Sequence, residues 1–128
     1  MKEFVAAEWD RAQAALASAA EAAAKFPETA ASRAYYAAFH AACAVLALRG
    51  KSYRKHSAVR AAVHRDLIQS GEWPQEFSQA YDMLLEAREV ADYGGVQRVA
   101  VHAAAQAVER ARRIIDFVKQ SCPELARL

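Results

Sequence analysis

The sequence predicts an all-α protein: an up-and-down four-helix bundle with one additional short helix, five helices in all. Three observations predict it. Hydrophobic residues make up 55% of the 128 positions, and much of that share is alanine, the strongest helix former and a poor filler of core volume. Val, Ile and Thr nowhere cluster with alternating polarity, so no stretch reads as a strand. Only four glycines and three prolines interrupt the chain, and they fall where long periodic segments begin or end. Residues 1–128 are read as a single domain, with 119–128 as a C-terminal tail.

The first helix is expected near 2–25, where Val5, Trp9, Ala12, Leu16, Ala19, Ala23 and Phe26 recur in steps of four and three. Pro27 suits a first turn, where its missing N–H costs nothing, and opens a second helix near 28–49. There Tyr35, Phe39, Ala42 and Leu46 form one line and Arg33, Tyr36, His40, Cys43 and Ala47 a second beside it. Gly50 closes it. A shorter third helix near 56–70 ends at Gly71. Pro74 opens the fourth, near 74–92, with Phe77, Tyr81, Leu84, Arg88 and Ala91 on its seam. The Gly94–Gly95 pair ends it, as glycine can adopt the left-handed conformation common just past a helix. The fifth, near 97–120, carries Val101, Ala104, Val108, Ala111, Ile115 and Val118, and Pro123 breaks the tail. Alanine-lined seams let helix axes approach closely.

Several function classes drop out. No apolar run approaches the roughly 20 residues needed to span a bilayer. The opening MKEFVAAEWDR has acids where a signal peptide would have its apolar stretch. Cys43 and Cys122 match no metal spacing, and two thiols in an unstapled chain suit a reducing compartment. A cytoplasmic protein without membrane association is expected, with Cys43 a small buried hydrophobe. His56, Arg60 and His64 recur every four residues in KHSAVRAAVHR, but Arg60 between the histidines and the lack of a nearby acid argue against a metal. Neither metal nor cofactor is expected. His102 reads as an ordinary helix residue.

Net charge is only +2, but its distribution is uneven. From Arg49 to Arg65 the chain carries Arg49, Lys51, Arg54, Lys55, Arg60 and Arg65 without a single acid. Lys51, Arg54, Lys55 and Arg60 form a candidate basic patch for an anionic partner; a solvated loop is the plainer explanation.

The informative feature is a charge on a seam that should be apolar. Arg88 occupies a leucine-type slot, and an unpaired guanidinium in an apolar setting costs several kcal/mol. Either Arg88 pairs with Asp92 one turn on, an arrangement worth only a few tenths of a kcal/mol, or it lines a cleft and meets an anion such as phosphate. On the second helix SRAYYAAFH places Arg33, Tyr36 and His40 nearly one above another, a polar stripe bordering the aromatic core line.

These residues are also familiar together. SRAYYAAFHAACAVLALRG, then KHSAV, then LLEAREVADYGG resemble the HEPN domain family, and more narrowly its small single-domain prokaryotic branch, over about residues 29–95. The resemblance implies a helical bundle, usually a homodimer, that associates with nucleotides or RNA. It implies a minimal nucleotidyltransferase as partner, in a toxin–antitoxin-type pair. Many members are metal-independent endoribonucleases whose signature is an arginine, four to six residues, then a histidine. Arg88 matches that arginine by position, but Tyr93 stands where nucleases have histidine, and a phenol with a pKa near 10 is a poor base at neutral pH. Arg33 and His40 meet the spacing on a different helix, and His40 with Arg88 would form a composite catalytic site if the second and fourth helices pack.

Three functions follow as expectations. In the first, a nucleotide- or RNA-binding HEPN subunit uses Arg33, Tyr36, His40, Arg88, Asp92 and Tyr93, with Asp92 orienting Arg88. In the second, an endoribonuclease uses Arg88 to stabilise phosphate charge and His40 to move protons. The third is a ligand-free helical scaffold or dimerisation module. Tyr93 is also a candidate target for nucleotidylation by a partner transferase.

Overall fold

A computed structural model describes residues 1–128. Five α-helices follow one another: α1 (Lys2–Ala22), α2 (Pro27–Leu48), α3 (His56–Ala62), α4 (Glu76–Tyr93) and α5 (Val101–Ser121). There are no strands. The number and order of helices are those expected, and α1, α2, α4 and α5 pack as the bundle.

Helix α2 is the centre of the molecule. It packs against α1, α4 and α5, and thirteen of its 22 residues are buried, most of them alanines at 0% exposure. Beyond its first turn only Ser32, Arg33, Tyr36, His40, Cys43 and Leu48 keep partial exposure, so most of the helix is buried against its neighbours. Alanine is what permits this, because its methyl group lets three neighbouring helices close on one axis at once. Larger side chains fill the remaining volume: Tyr35, Leu46, Tyr81, Leu84, Ile114 and Ile115 are all at most 1% exposed. Each contributes roughly 1.5–3 kcal/mol relative to exposure.

Several boundaries move, for local reasons. Helix α1 stops at Ala22, and Phe26 lies 63% exposed. Its buried seam is Val5, Glu8, Ala12, Ala15, Ala19 and Ala22, with Trp9 beside it. Helix α5 begins at Val101, which is exposed. The third segment is not one helix. After Ala62 the chain widens into a π-helical stretch, Val63–Ile68, which fits His64 between α4 side chains: its Nδ1 lies 3.1 Å from Ser78 Oγ and its Nε2 3.0 Å from Asp82 Oδ1. The tail folds back as a 3₁₀ turn, Pro123–Arg127, that buries Leu125.

The two glycines after α4 serve different ends. Gly95 has φ +61°, the left-handed region, while Gly94 is right-handed. Gly94 is small for another reason: a Cβ there would collide with the Val90 carbonyl oxygen and press on that of Gln97.

Candidate functional site

The polar stripe of α2 meets α4 on one flank and the start of α3 further along. Tyr36, at its middle, is half-buried and has four basic side chains around its ring. The Arg33 guanidinium lies 4.9 Å from the ring centroid and that of Arg88 5.5 Å. His56 stands edge-on at 5.8 Å and His40 tilted at 6.1 Å. Arg33, Tyr36 and His40 come from successive turns of α2; Arg88 arrives because α4 runs antiparallel alongside it.

Arg88 is only 16% exposed at its side chain. Its Nη2 donates to Tyr36 Oη at 3.0 Å and, more weakly, to Tyr93 Oη at 3.5 Å. Nε sits 2.9 Å from Asp92 Oδ2, yet no acceptor is aligned with its hydrogen, so the contact is an ion pair and not a hydrogen bond. Burial pushes the guanidinium pKa down; Tyr36, Tyr93 and Asp92 outweigh that and hold it above its ordinary value. Arg88 therefore stays charged. Asp92, 30% exposed, also accepts from Ser32 Oγ at 3.4 Å. The intrahelical pair and the cleft position thus coexist in one residue. Tyr93 is 72% exposed and its ring lies 5.2 Å from the Arg88 guanidinium.

His40 and Arg88 both lie near the Tyr36 ring. His40 Nδ1 lies 2.5 Å from Glu8 Oε2 on α1, and Glu8 Oε1 accepts from Arg11 at 3.2 Å. Glu8 is the buried charged residue of the protein, 7% exposed. Sequence reasoning missed it because the first helix was followed through Trp9 and Leu16; the steps 5, 8, 12, 15, 19, 22 put Glu8 in an apolar slot by the same rule that singled out Arg88.

His56 was also missed as a site residue. Its ring stacks on Phe39 at 4.2 Å and 11°, and its Nδ1 lies 2.8 Å from Tyr35 Oη. Burial, then the charges of Arg88 and His40, lower its pKa below 6.5. Burial pushes the Tyr35 phenol up to about 12. Tyr35 is committed to His56, which leaves the nearby Tyr81 hydroxyl buried without an aligned partner.

The basic patch has a different fate. Lys51 pairs with Asp66 at 3.2 Å, Arg60 binds Asp82 through two bonds of 2.9 Å, and Arg49 and Arg65 pair with Glu72 and Asp66. Acid-free in sequence, the run is largely neutralised in space by acids from later segments; Arg54 and Lys55 keep no carboxylate partner. The Cys43 thiol is pushed up to about 12 by burial and by the Glu8 charge, which disfavours the thiolate. No three potential ligands gather to hold a metal ion, and no helix is long and apolar enough to cross a membrane.

Two open hollows border the stripe. One of about 530 Å³ is lined by Arg88 and Tyr93 with Gln97, but also by Glu86 and Glu89, an unfavourable wall for an anion. The other, about 290 Å³, lies between α2 and α4 at Ser32, Arg33 and Asp92. The stripe itself gathers four basic side chains, Arg33, Arg88, His40 and His56, around the Tyr36 ring.

Comparison with known proteins gives a family match over most of the chain. A family model described as the HEPN domain matches residues 6–121. A protein of Thermotoga maritima named only as a UPF0332 protein is 29% identical over 99 residues, covering 77% of this chain and 75% of that protein.

Proposed function

Because the chain belongs to the HEPN domain family, whose members have nucleotide- and RNA-related roles, we propose that it binds the phosphates of a nucleotide or RNA along the α2–α4 stripe. The observation that carries this is the crowding of Arg33 and Arg88 around the single Tyr36 ring. Only one carboxylate, Asp92, touches Arg88, so the pair of guanidinium groups holds net positive charge in a partly buried setting. Such charges repel each other, and a phosphate between them relieves the repulsion while accepting from a planar fork. The exposed Tyr93 ring supplies an aromatic face for a base. The protein acts in this proposal as a homodimer and as the HEPN partner of a minimal nucleotidyltransferase, in a toxin–antitoxin-type pair.

The test is titration of a short labelled RNA at low salt into wild type and Arg88→Ala. Affinity should fall in the variant, and the slope of log K against log salt, near 0.7 per phosphate contact for single strands, should become shallower. Equal affinities and slopes would remove Arg88 from the site.

A second function, metal-independent endoribonuclease, is favoured by one specific observation. Two histidines, His40 and His56, lie around the Tyr36 ring that Arg88 also contacts, although Tyr93 replaces the signature histidine. Arg88 would stabilise developing phosphate charge while imidazole moves protons. RNA cleavage in chelator that is lost in His40→Ala supports this; no cleavage by the purified protein, free of any transferase, argues against it. A ligand-free scaffold would instead show no nucleotide-dependent rise in melting temperature.

A further inference from the structure

We infer that the groove between α4 and α5 docks an acidic, amphipathic helix supplied by a partner protein. The groove shares no residue with the α2–α4 stripe, so the inference stands apart from the phosphate-binding proposal.

The groove is a hollow of about 220 Å³ with an apolar floor and a basic wall. Phe77, Ala80 and Met83 of α4 form the floor. Phe77 is buried, whereas Ala80 and Met83 are half-buried. Phe117 of α5, also half-buried, extends this apolar surface, its ring 5.4 Å from that of Phe77 and nearly perpendicular to it. Arg110 and Arg113 of α5 form the wall. The volume is below the roughly 300 Å³ at which small-molecule pockets begin. It suits an apolar side chain inserted from another protein.

Charge selects the occupant. Arg110, Arg112 and Arg113 have one carboxylate among them, that of Glu109, 3.4 Å from Arg112 and 3.8 Å from Arg113. Arg110 is half-buried and forms no ion pair. The stem of Arg110 covering the floor accounts for its packing, but not for the charges gathered beside it. Arg110 and Arg113, one turn apart, repel each other, which weakens α5 on its own. Carboxylates arriving between them turn that repulsion into ion pairs.

A helix meets both demands, presenting apolar side chains every three or four residues with acids alongside, the form that a groove between two helices receives. Glu76 lies on the α4 side of the hollow and suits the positive N-terminal end of the incoming helix, which sets its direction. A nucleic-acid backbone fits less well. Glu76, Glu109 and Asp116 interrupt the arginines, so the groove offers no continuous basic track for successive phosphates.

The experiment titrates a synthetic peptide of leucine, alanine and glutamate, about 18 residues long so that it can be helical, into the nitrogen-15-labelled full chain. Its leucines share one face and its glutamates flank them; a second peptide has lysine for every glutamate. The acidic peptide should bind saturably, with amide shifts centred on Ala80, Met83, Arg110 and Arg113, and the lysine peptide about tenfold more weakly. The double variant Arg110→Glu, Arg113→Glu should reverse that preference, while a short labelled RNA binds it as it binds wild type. Equal binding of the two peptides, no binding of the acidic one, shifts on another face, or a double variant with unaltered preference overturns the inference. Displacement of the acidic peptide by the RNA overturns it by making the groove a nucleic-acid surface. Loss of a wild-type homodimer in the double variant, read by sedimentation, overturns it by placing a second copy there. If the double variant does not fold, the wild-type peptide preference and shift map decide.

Discussion

Replacing Arg88 by leucine separates an arginine kept for packing from one kept for a ligand. Arg88→Leu removes the bond to Tyr36 Oη, worth about 0.5–1.5 kcal/mol net. It also removes a part-exposed i,i+4 ion pair to Asp92, about 0.3–0.5 kcal/mol, and contacts over the Tyr35, Tyr36 and Tyr93 rings, about 0.5–1 kcal/mol. Against that loss of roughly 1.3–3 kcal/mol stands the burial of a leucine in a slot only 16% exposed, about 1.5–3 kcal/mol. It stands alongside release of a buried Nε that has no aligned acceptor. The two sides nearly cancel, so stability should change by less than about 2 kcal/mol, a shift of several degrees in Tm at most for a domain of this size. Ligand affinity should behave differently. A charged hydrogen bond to phosphate is worth about 1.5–3 kcal/mol, so RNA binding should weaken by roughly ten- to a hundredfold. Calorimetric melting and fluorescence anisotropy on the same preparations read both quantities. A variant destabilised by about 3 kcal/mol or more that still binds RNA as wild type does would refute the reasoning, because Arg88 would then be a packing residue.

The other predictions concern the support around the site. Tyr35→Phe should cost about 1–3 kcal/mol in chemical denaturation by leaving His56 Nδ1 without its partner, whereas Tyr81→Phe, which deletes a hydroxyl with no aligned partner, should be neutral or stabilising. The pKa of His56 is lowered on folding by burial, Arg88 and His40; the folded protein resists its protonation, so this contribution is full above the unfolded value near 6.5 and is lost as pH falls below it. The drop in Tm between pH 7.5 and 5.5 should accordingly be smaller in His56→Gln than in wild type. Glu28 accepts from the Val99 amide at 2.7 Å and from the Arg98 guanidinium, tying the start of α2 to the segment between α4 and α5, so Glu28→Ala should speed hydrogen exchange at the Val99 amide. Ala38→Leu, at a fully buried position of the central helix, should destabilise by about 1–3 kcal/mol through overpacking.

The number, order and type of the helices were legible in the sequence because each depends on local information. Alanine propensity, three-four spacing and the placement of Pro27, Pro74 and the glycines act within a few residues of one another. Arg88 was legible for the same reason: a charge interrupting Phe77, Tyr81 and Leu84 stands out on its own helix. Boundaries were less so. Phe26 continues the α1 pattern yet is exposed, because the chain has already turned toward α2, and the π-helical widening at Val63–Ile68 accompanies side-chain contacts with α4 that no local pattern encodes.

What the sequence by itself determined is a set of five helices with charged residues in leucine-type slots, since propensity and periodicity are properties of neighbours along the chain. Only the tertiary structure decided what those charges meet. Glu8 faces His40 across 32 positions, Arg88 reaches Tyr36 across 52, and Lys51 and Arg60 find acids supplied by later segments. Electrostatic partnership depends on distance in space, and helix packing fixes that distance. The same packing turned an acid-free basic run into a largely neutral surface and brought two histidines, two arginines and a buried carboxylate to one stripe.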